Sequence, residues 1–401
     1  MIGAGAVGAS TAFHLAKKGV RVRVLEKESA PARHQSSRNS GVIHAGYNLK
    51  PGSNKAIYCV EGNRQLREYC AARGVPMIQG GILVVGRTEA ELPVLAELKR
   101  RADLNGVQAS LVDERQIREL EPHARGLQAL HAPEGASFDS AAFVERLLSD
   151  ASSHGAQLHY GARVTSLGDP SLRDRSLGQS PASEVRVTTS HDVFHSRVVV
   201  NCAGLHADRV AGPLAADVRV VPFRGYYAEI RPGRRHLIGS HLYSAPDLDF
   251  PFLGVHLSRQ VDGRVLVGPG AMLAFGREAY RLRDVNLRDL GGILSWPGFH
   301  RLTTRPQFRK LIASEVKKSL SLRAIWREAR QVLPDLDPSD LARSFAGNRA
   351  QLVTRDGELV DDILVRETER AVHVLNAVSP GLTCSLPFGK YVAGRAREKL
   401  G

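Results

Sequence analysis

The stretch IGAGAVGASTAFHLAKKGVRVRVLE, Ile2 to Glu26, decides the fold. Its first half reads as a strand end, a tight glycine turn and an amphipathic helix closed by Gly19. VRVRVLE then alternates with period two, which predicts a second strand ending at Glu26. Gly3, Gly5 and Gly8 stand in G-x-G-x-x-G spacing, and an acidic residue follows about 20 positions on, as a dinucleotide fingerprint requires. Gly3 permits the turn, Gly5 lets backbone approach a pyrophosphate, and Gly8 lets the helix pack close to the strand. The helix N-terminus presents free N–H groups and a positive dipole end to the phosphates. Glu26 is placed to accept hydrogen bonds from ribose hydroxyls. A purely structural glycine turn would not need the strand, helix and acid in register.

The bulk numbers set bounds on the rest. A chain of 401 residues predicts about two domains or one large composite fold, and 43% hydrophobic residues suffice for a sizeable core. No apolar run approaches the roughly 18 residues that span a bilayer, and Met1 leads directly into glycines rather than a signal peptide. The expected location is cytoplasmic, with peripheral contact at the inner face of a membrane left open. Cys59, Cys70, Cys202 and Cys384 form no CxxC pair, so buried free thiols are expected and neither zinc nor any other metal. The net charge of +14 points to anionic partners. Its basic residues are spread along the chain without interleaved aromatics, so no nucleic acid is expected.

Further along, GGILVV and QALHAPEGASFDSAAFVERLL predict strands and a helix outside the first βαβ unit. AQLHYGARVTSL resumes strand character, and the polar Gly168–Glu184 insertion predicts a mobile hairpin tip. RVVVNCAGLHAD reads as an apolar strand ending in a small-residue turn that brings backbone near a cofactor. Strand-like segments from Pro222 to about Gly268 predict an antiparallel sheet, and a helical region follows from about Leu287 to Leu333. The end of the chain reads strand, Gly/Pro loop, helix. Without repeats or a clean linker, the domains are expected to interleave.

The stretches LEKESAPARHQSSRNSGVIHAG, PGSNKA, VPFRGYY, PFLGVHLSR, GRVLVGPGAMLAF, GNRAQ and DGELVDDILV run from near the start to near the end. In them the chain resembles the FAD-dependent D-amino-acid-oxidase-like oxidoreductases, in the branch that oxidises L-2-hydroxyglutarate to 2-oxoglutarate. The resemblance implies an α/β enzyme with a Rossmann-like FAD domain in segments 1–79, 140–220 and 341–401. A substrate domain on a mainly antiparallel sheet would take 80–139 and 221–340. The implied FAD shell is Gly3, Gly5, Gly8, Glu26 and Lys27, with Ser37, Asn39, Ser40 and Gly41 along the pyrophosphate and the approach to the flavin. Val164 would touch the adenine through its backbone, and Gly204, Gly381, Leu382 and Thr383 would follow the ribityl chain and ring. The C-terminal helix after Ser379 would aim its N-terminus at the flavin's pyrimidine edge.

The resemblance also implies the chemistry: a small dicarboxylate is oxidised, and electrons pass to a quinone, a membrane-surface acceptor or oxygen. Such chemistry needs a base, for which a histidine titrating near the working pH is suited, and cations for carboxylates. His256 and His44 are the implied candidates for the base, with His206 third. His44 would lie against the isoalloxazine or else hold its loop from behind. Arg349 would take a substrate carboxylate, with Arg224 and Arg259 as further candidates. Arg259 follows His256 by three, a spacing that puts the two on opposite faces of a regular strand. A flavin amine or amino-acid oxidase of the same fold, and a non-catalytic dinucleotide- or nucleic-acid-binding protein, are the alternatives.

Three departures from the branch bear on performance. Only Met1 and Ile2 precede Gly3, so the expected first strand is short, with lower stability and weaker FAD retention than a fuller strand would give. Asn48 and Leu49 stand where two adjacent tyrosines are typical, and SPGLTCSL replaces a smaller alanine-rich loop. Both alter the expected substrate fit.

Overall fold

The computed structural model describes residues 1–169, 184–248 and 254–401. Most of the Gly168–Glu184 insertion therefore lies outside the described residues, and so do 249–253 of the PFLGVHLSR stretch.

The opening stretch folds as its pattern dictates. Helix α1 (Ala6–Ala16) starts after Gly5 and buries its small face against the helices Ser140–Ser153 and Ser385–Glu398. Strand β1 (Arg23–Leu25) pairs in parallel with Gln157–His159. Met1 to Gly3 lie on its other side: Ile2 bridges Leu25 and Asn201 in parallel, and its N–H donates to the Val200 carbonyl at 2.9 Å. Val199–Asn201 continues in parallel to Ala371–Asn376, and Leu364–Glu367 closes that edge antiparallel. This is a parallel sheet with helices on one face. A three-stranded antiparallel sheet, Val164–Gly168, Val185–Thr189 and Val193–Ser196, adjoins it.

The second layer is a nine-stranded sheet, antiparallel except where Ile82–Gly86 runs parallel to His241–Ser244. Its longest pairing joins Val218–Ile230 to Leu341–Thr354, with a bulge at Tyr226 and Ala228. The strand Leu341–Thr354 thus belongs to this sheet, although the reading by resemblance assigns it to the third cofactor segment. Its apolar residues are buried against those of Val218–Ile230. Helices Leu287–Leu294, Pro297–Thr304, Pro306–Leu320 and Leu322–Ala329 fill the expected helical region. Separate cores sit under the parallel sheet and under the large sheet. Among the described residues, no helix is long and apolar enough to cross a membrane.

Candidate active site

The carboxyl ends of the parallel strands open into a cavity of about 690 Å³. Gly3, Gly5, Gly8, Glu26, Lys27, Val164, Gly204, Gly381 and Leu382 all line it. Gly3 sits at φ +96°, and a Cβ there would lie 2.5 Å from the Cys202 carbonyl, so the turn tolerates no side chain. The Glu26 carboxylate is fixed by backbone N–H groups, Oε2 accepting from Ala4 at 2.8 Å and Oε1 from Glu28 at 2.9 Å. It remains on the cavity wall, as an acceptor of ribose hydroxyls must.

The serine facing this cavity is Ser36, whose Oγ accepts from the Ala6 N–H at the start of α1 at 2.9 Å. Ser37 turns away and its hydroxyl donates to the Ala32 carbonyl, so it lines neither cavity. Gly41 also lies outside both; at φ +60° it packs against the Phe138 carbonyl and receives the Asn39 side chain, whose Oδ1 accepts its N–H at 2.7 Å. The sequence HQSSRNSG shows two adjacent serines, and nothing in it says which one turns inward.

A second cavity, of about 230 Å³, shares Gln35, Ala350, Ala377, Gly381 and Leu382 with the first. Asn39, Ser40, His44, His256, Arg349 and Thr383 line it, together with Arg38, Lys55 and Tyr227, which the reading by resemblance does not name. His44 is positioned through its backbone: its N–H donates to Thr383 Oγ1 at 3.1 Å, and its carbonyl accepts from Asn63 Nδ2 at 3.1 Å.

His256 is 5% exposed and stacks on Tyr243, its register partner on the next strand, with ring centroids 4.2 Å apart. Its Nδ1 lies 3.1 Å from the Gly254 carbonyl, which can only accept, so the proton sits on Nδ1. Nε2 is left buried, with a lone pair and no partner among the described residues. Burial pushes the imidazole down to about 3, and the charge of Arg349 pushes the same way. Burial likewise lowers His44 to about 4. The expectation of a histidine titrating near neutrality is therefore corrected for this site: both rings are neutral across the working range, because a buried imidazolium loses its hydration.

Arg349 reaches the cavity from Leu341–Thr354 and donates from Nη1 to the Gly270 carbonyl at 2.9 Å. Arg224 does not join it. It pairs in register with Asn348, one residue out of phase with the Phe223–Arg349 pair, and so projects from the opposite face. Arg224 is 0% exposed and its Nη1 donates to the Ala279 carbonyl at 3.1 Å and to that of Arg281. Arg259, the other further candidate, does not line this cavity either. It donates to the Ile238 carbonyl at 3.0 Å, on a strand with regular pairing. His206 lines the larger cavity and pairs with Glu278 at 2.6 Å, away from His256.

The parallel sheet, the glycine turn, the fixed acid and a cavity extended toward the large sheet fit a flavin dinucleotide, and together define a two-layer FAD enzyme. The comparisons agree. The sequence profile of the FAD dependent oxidoreductase family, DAO, matches residues 1–395, and the chain belongs to that family. It is 36% identical to L-2-hydroxyglutarate dehydrogenase of Indibacter alkaliphilus, over 100% of this chain and 98% of the relative. It is 35% identical to the Escherichia coli protein of that name, covering 93% of it, and 34% identical to the mitochondrial one of Mus musculus, covering 88% of it. In fold it is similar to FAD-bound L-alpha-glycerophosphate oxidase of Mycoplasma pneumoniae, with a TM-score of 0.76 and 22% identity over 99% of this chain and 93% of that one. Glycine oxidase of Bacillus cereus superposes with a TM-score of 0.70 at 16% identity, over 99% of this chain and 94% of the other.

Proposed function

We propose that this chain oxidises L-2-hydroxyglutarate to 2-oxoglutarate. The observation that carries the reading is the His256 Nε2 lone pair, buried without a partner among the described residues in a cavity that also holds Arg349 and opens into the cofactor cavity. The full-length relatives named for this activity support the choice of substrate.

Bound FAD would supply the two-electron acceptor for the hydrogen on C2. Arg349 orients the adjacent carboxylate, because its planar fork matches two carboxylate oxygens. His256 Nε2 accepts the C2 hydroxyl proton, and the Gly254 carbonyl on Nδ1 stabilises the imidazolium that forms. The substrate's own negative charge raises His256, so the base strengthens once the dianion is beside it. His44, fixed between Thr383 and Asn63, forms the wall between base and cofactor. Gly3, Gly5, Gly8, Glu26, Ser36 and Val164 hold the dinucleotide, and Asn39, Ser40, Gly204, Gly381, Leu382 and Thr383 the flavin side. The electrons then pass to a quinone or to oxygen. The cationic balance supports peripheral contact at an anionic membrane face. We place the domain division as the reading by resemblance does, with the strand Leu341–Thr354 moved to the substrate domain.

The test is anaerobic reduction. Purified protein should carry FAD absorbance that L-2-hydroxyglutarate bleaches and glycine or sarcosine does not. Bleaching by the amines alone would transfer the chain to the amine oxidases of the same fold.

A further inference from the structure

The smaller cavity holds a cation with no task in this reaction so far. Lys55 is the second residue of helix α2 (Asn54–Arg73), is 7% exposed, and lines the cavity that Arg349 and His256 share. Its Nζ donates to Asp361 Oδ1 at 2.9 Å; Asp361 lines the same cavity, but its side chain is 66% exposed and much of its charge faces water. An ammonium has three donors, and burying it against the one solvated partner it has among the described residues is a costly way to fasten a helix. The helix start does not need it: Asp362 accepts the Asn54 and Lys55 N–H groups, and Ser53 accepts that of Ala56. Lys55 and Arg349 reach the cavity from different elements, α2 and the strand Leu341–Thr354. Arg349 acts on His256 through its charge, in keeping with a place beside the reacting carbon. Asn48 and Leu49, which stand where the branch has tyrosines, line the same cavity.

We propose that Lys55 sets the specificity for a dicarboxylate: Arg349 holds the carboxylate beside the oxidised carbon, and the Lys55 ammonium takes the distal one. The inference rests on the reading under Proposed function and adds the residue that makes the second charge matter.

The experiment compares L-2-hydroxyglutarate with its distal amide, a substrate of the same length whose far end is neutral. In the FAD-loaded wild-type enzyme kcat/KM should favour the diacid. Lys55→Met should lower kcat/KM for the diacid about 10- to 100-fold, the loss of one charged hydrogen bond, and leave the amide nearly unchanged. Asp361→Asn removes the ion pair but keeps the ammonium, so the preference for the diacid should survive. Equal losses on both substrates in Lys55→Met, or a preference that collapses in Asp361→Asn as well, would make Lys55 a strut and overturn the proposal. Should Lys55→Met not retain FAD, Lys55→Gln carries the same comparison with a polar end of similar reach. A wild-type flavin that neither substrate reduces would instead sink the functional reading, which keeps the two failures apart.

Discussion

At Arg349 shape matters as much as charge. A lysine in its place keeps one positive charge but loses the fork that meets two carboxylate oxygens together. Arg349→Lys should lower kcat/KM for the diacid by about 10- to 100-fold, the value of a charged hydrogen bond, and unchanged kinetics would put the carboxylate elsewhere. At His256 the sign of the pH dependence follows from burial. The reaction needs the neutral ring, and burial holds the free ring near 3, so the ascending limb of kcat/KM should fall well below 6.5. The limb in kcat should lie at higher pH than the limb in kcat/KM, because a bound dianion raises the base. His256→Gln should slow flavin reduction while FAD stays bound. A kcat/KM limb at 6.5 or above in the wild type would give the base role to another group.

At the scale of elements, α2 is held against the loop that bears Gly381, Leu382 and Thr383 by the absence of a side chain. A Cβ on Gly62 would lie 2.1 Å from the Thr383 carbonyl, a distance that backbone can relieve only by moving. Gly62→Ala should therefore displace the loop and weaken FAD retention more than it lowers the melting temperature. FAD release measured by dialysis and flavin fluorescence tests this, and wild-type retention would show that the loop can shift without cost. Elements of this kind were legible in the sequence to different depths. The glycine turn, α1 and β1 are local and periodic, so pattern alone found them. The parity of His256 and Arg259 was also local, and the strand obeys it. Arg224 failed for a related reason: its face is set by pairing with Asn348, more than a hundred positions away, which no local pattern reports. Lys55 was missed because PGSNKA reads as an ordinary helix start, and only the packing shows that its amine is buried. The membership of Leu341–Thr354 was hidden likewise, since its partner strand is remote in sequence.

At the scale of the whole molecule, the neutral histidines make stability depend on acid. His241 and His373 are each 1% exposed, and burial lowers both to about 4. Asn201 Nδ2, which also donates to the Ala207 carbonyl, lies 3.1 Å from His373 Nδ1, an arrangement that requires the unprotonated nitrogen. In the unfolded chain such rings titrate near 6.5. Above that value neither state binds the proton, and the stability of the fold is undiminished. As pH falls from 6.5 toward 4 the unfolded chain takes up protons that the folded one refuses, and each ring costs up to about 1.4 kcal/mol per pH unit. Two such rings together cost up to about 3 kcal/mol per unit, which is large against the roughly 5–15 kcal/mol of a typical domain. The urea midpoint of the FAD-loaded protein should therefore drop steeply between pH 6.5 and 4.5 and be nearly flat from 7 to 8. His241→Phe removes one titrating ring, so its midpoint should fall less steeply over the acid interval, whatever its absolute stability at pH 7. Parallel wild-type and variant curves would show that His241 does not carry this dependence, because a ring that takes up its proton equally in the folded and unfolded chain adds no slope.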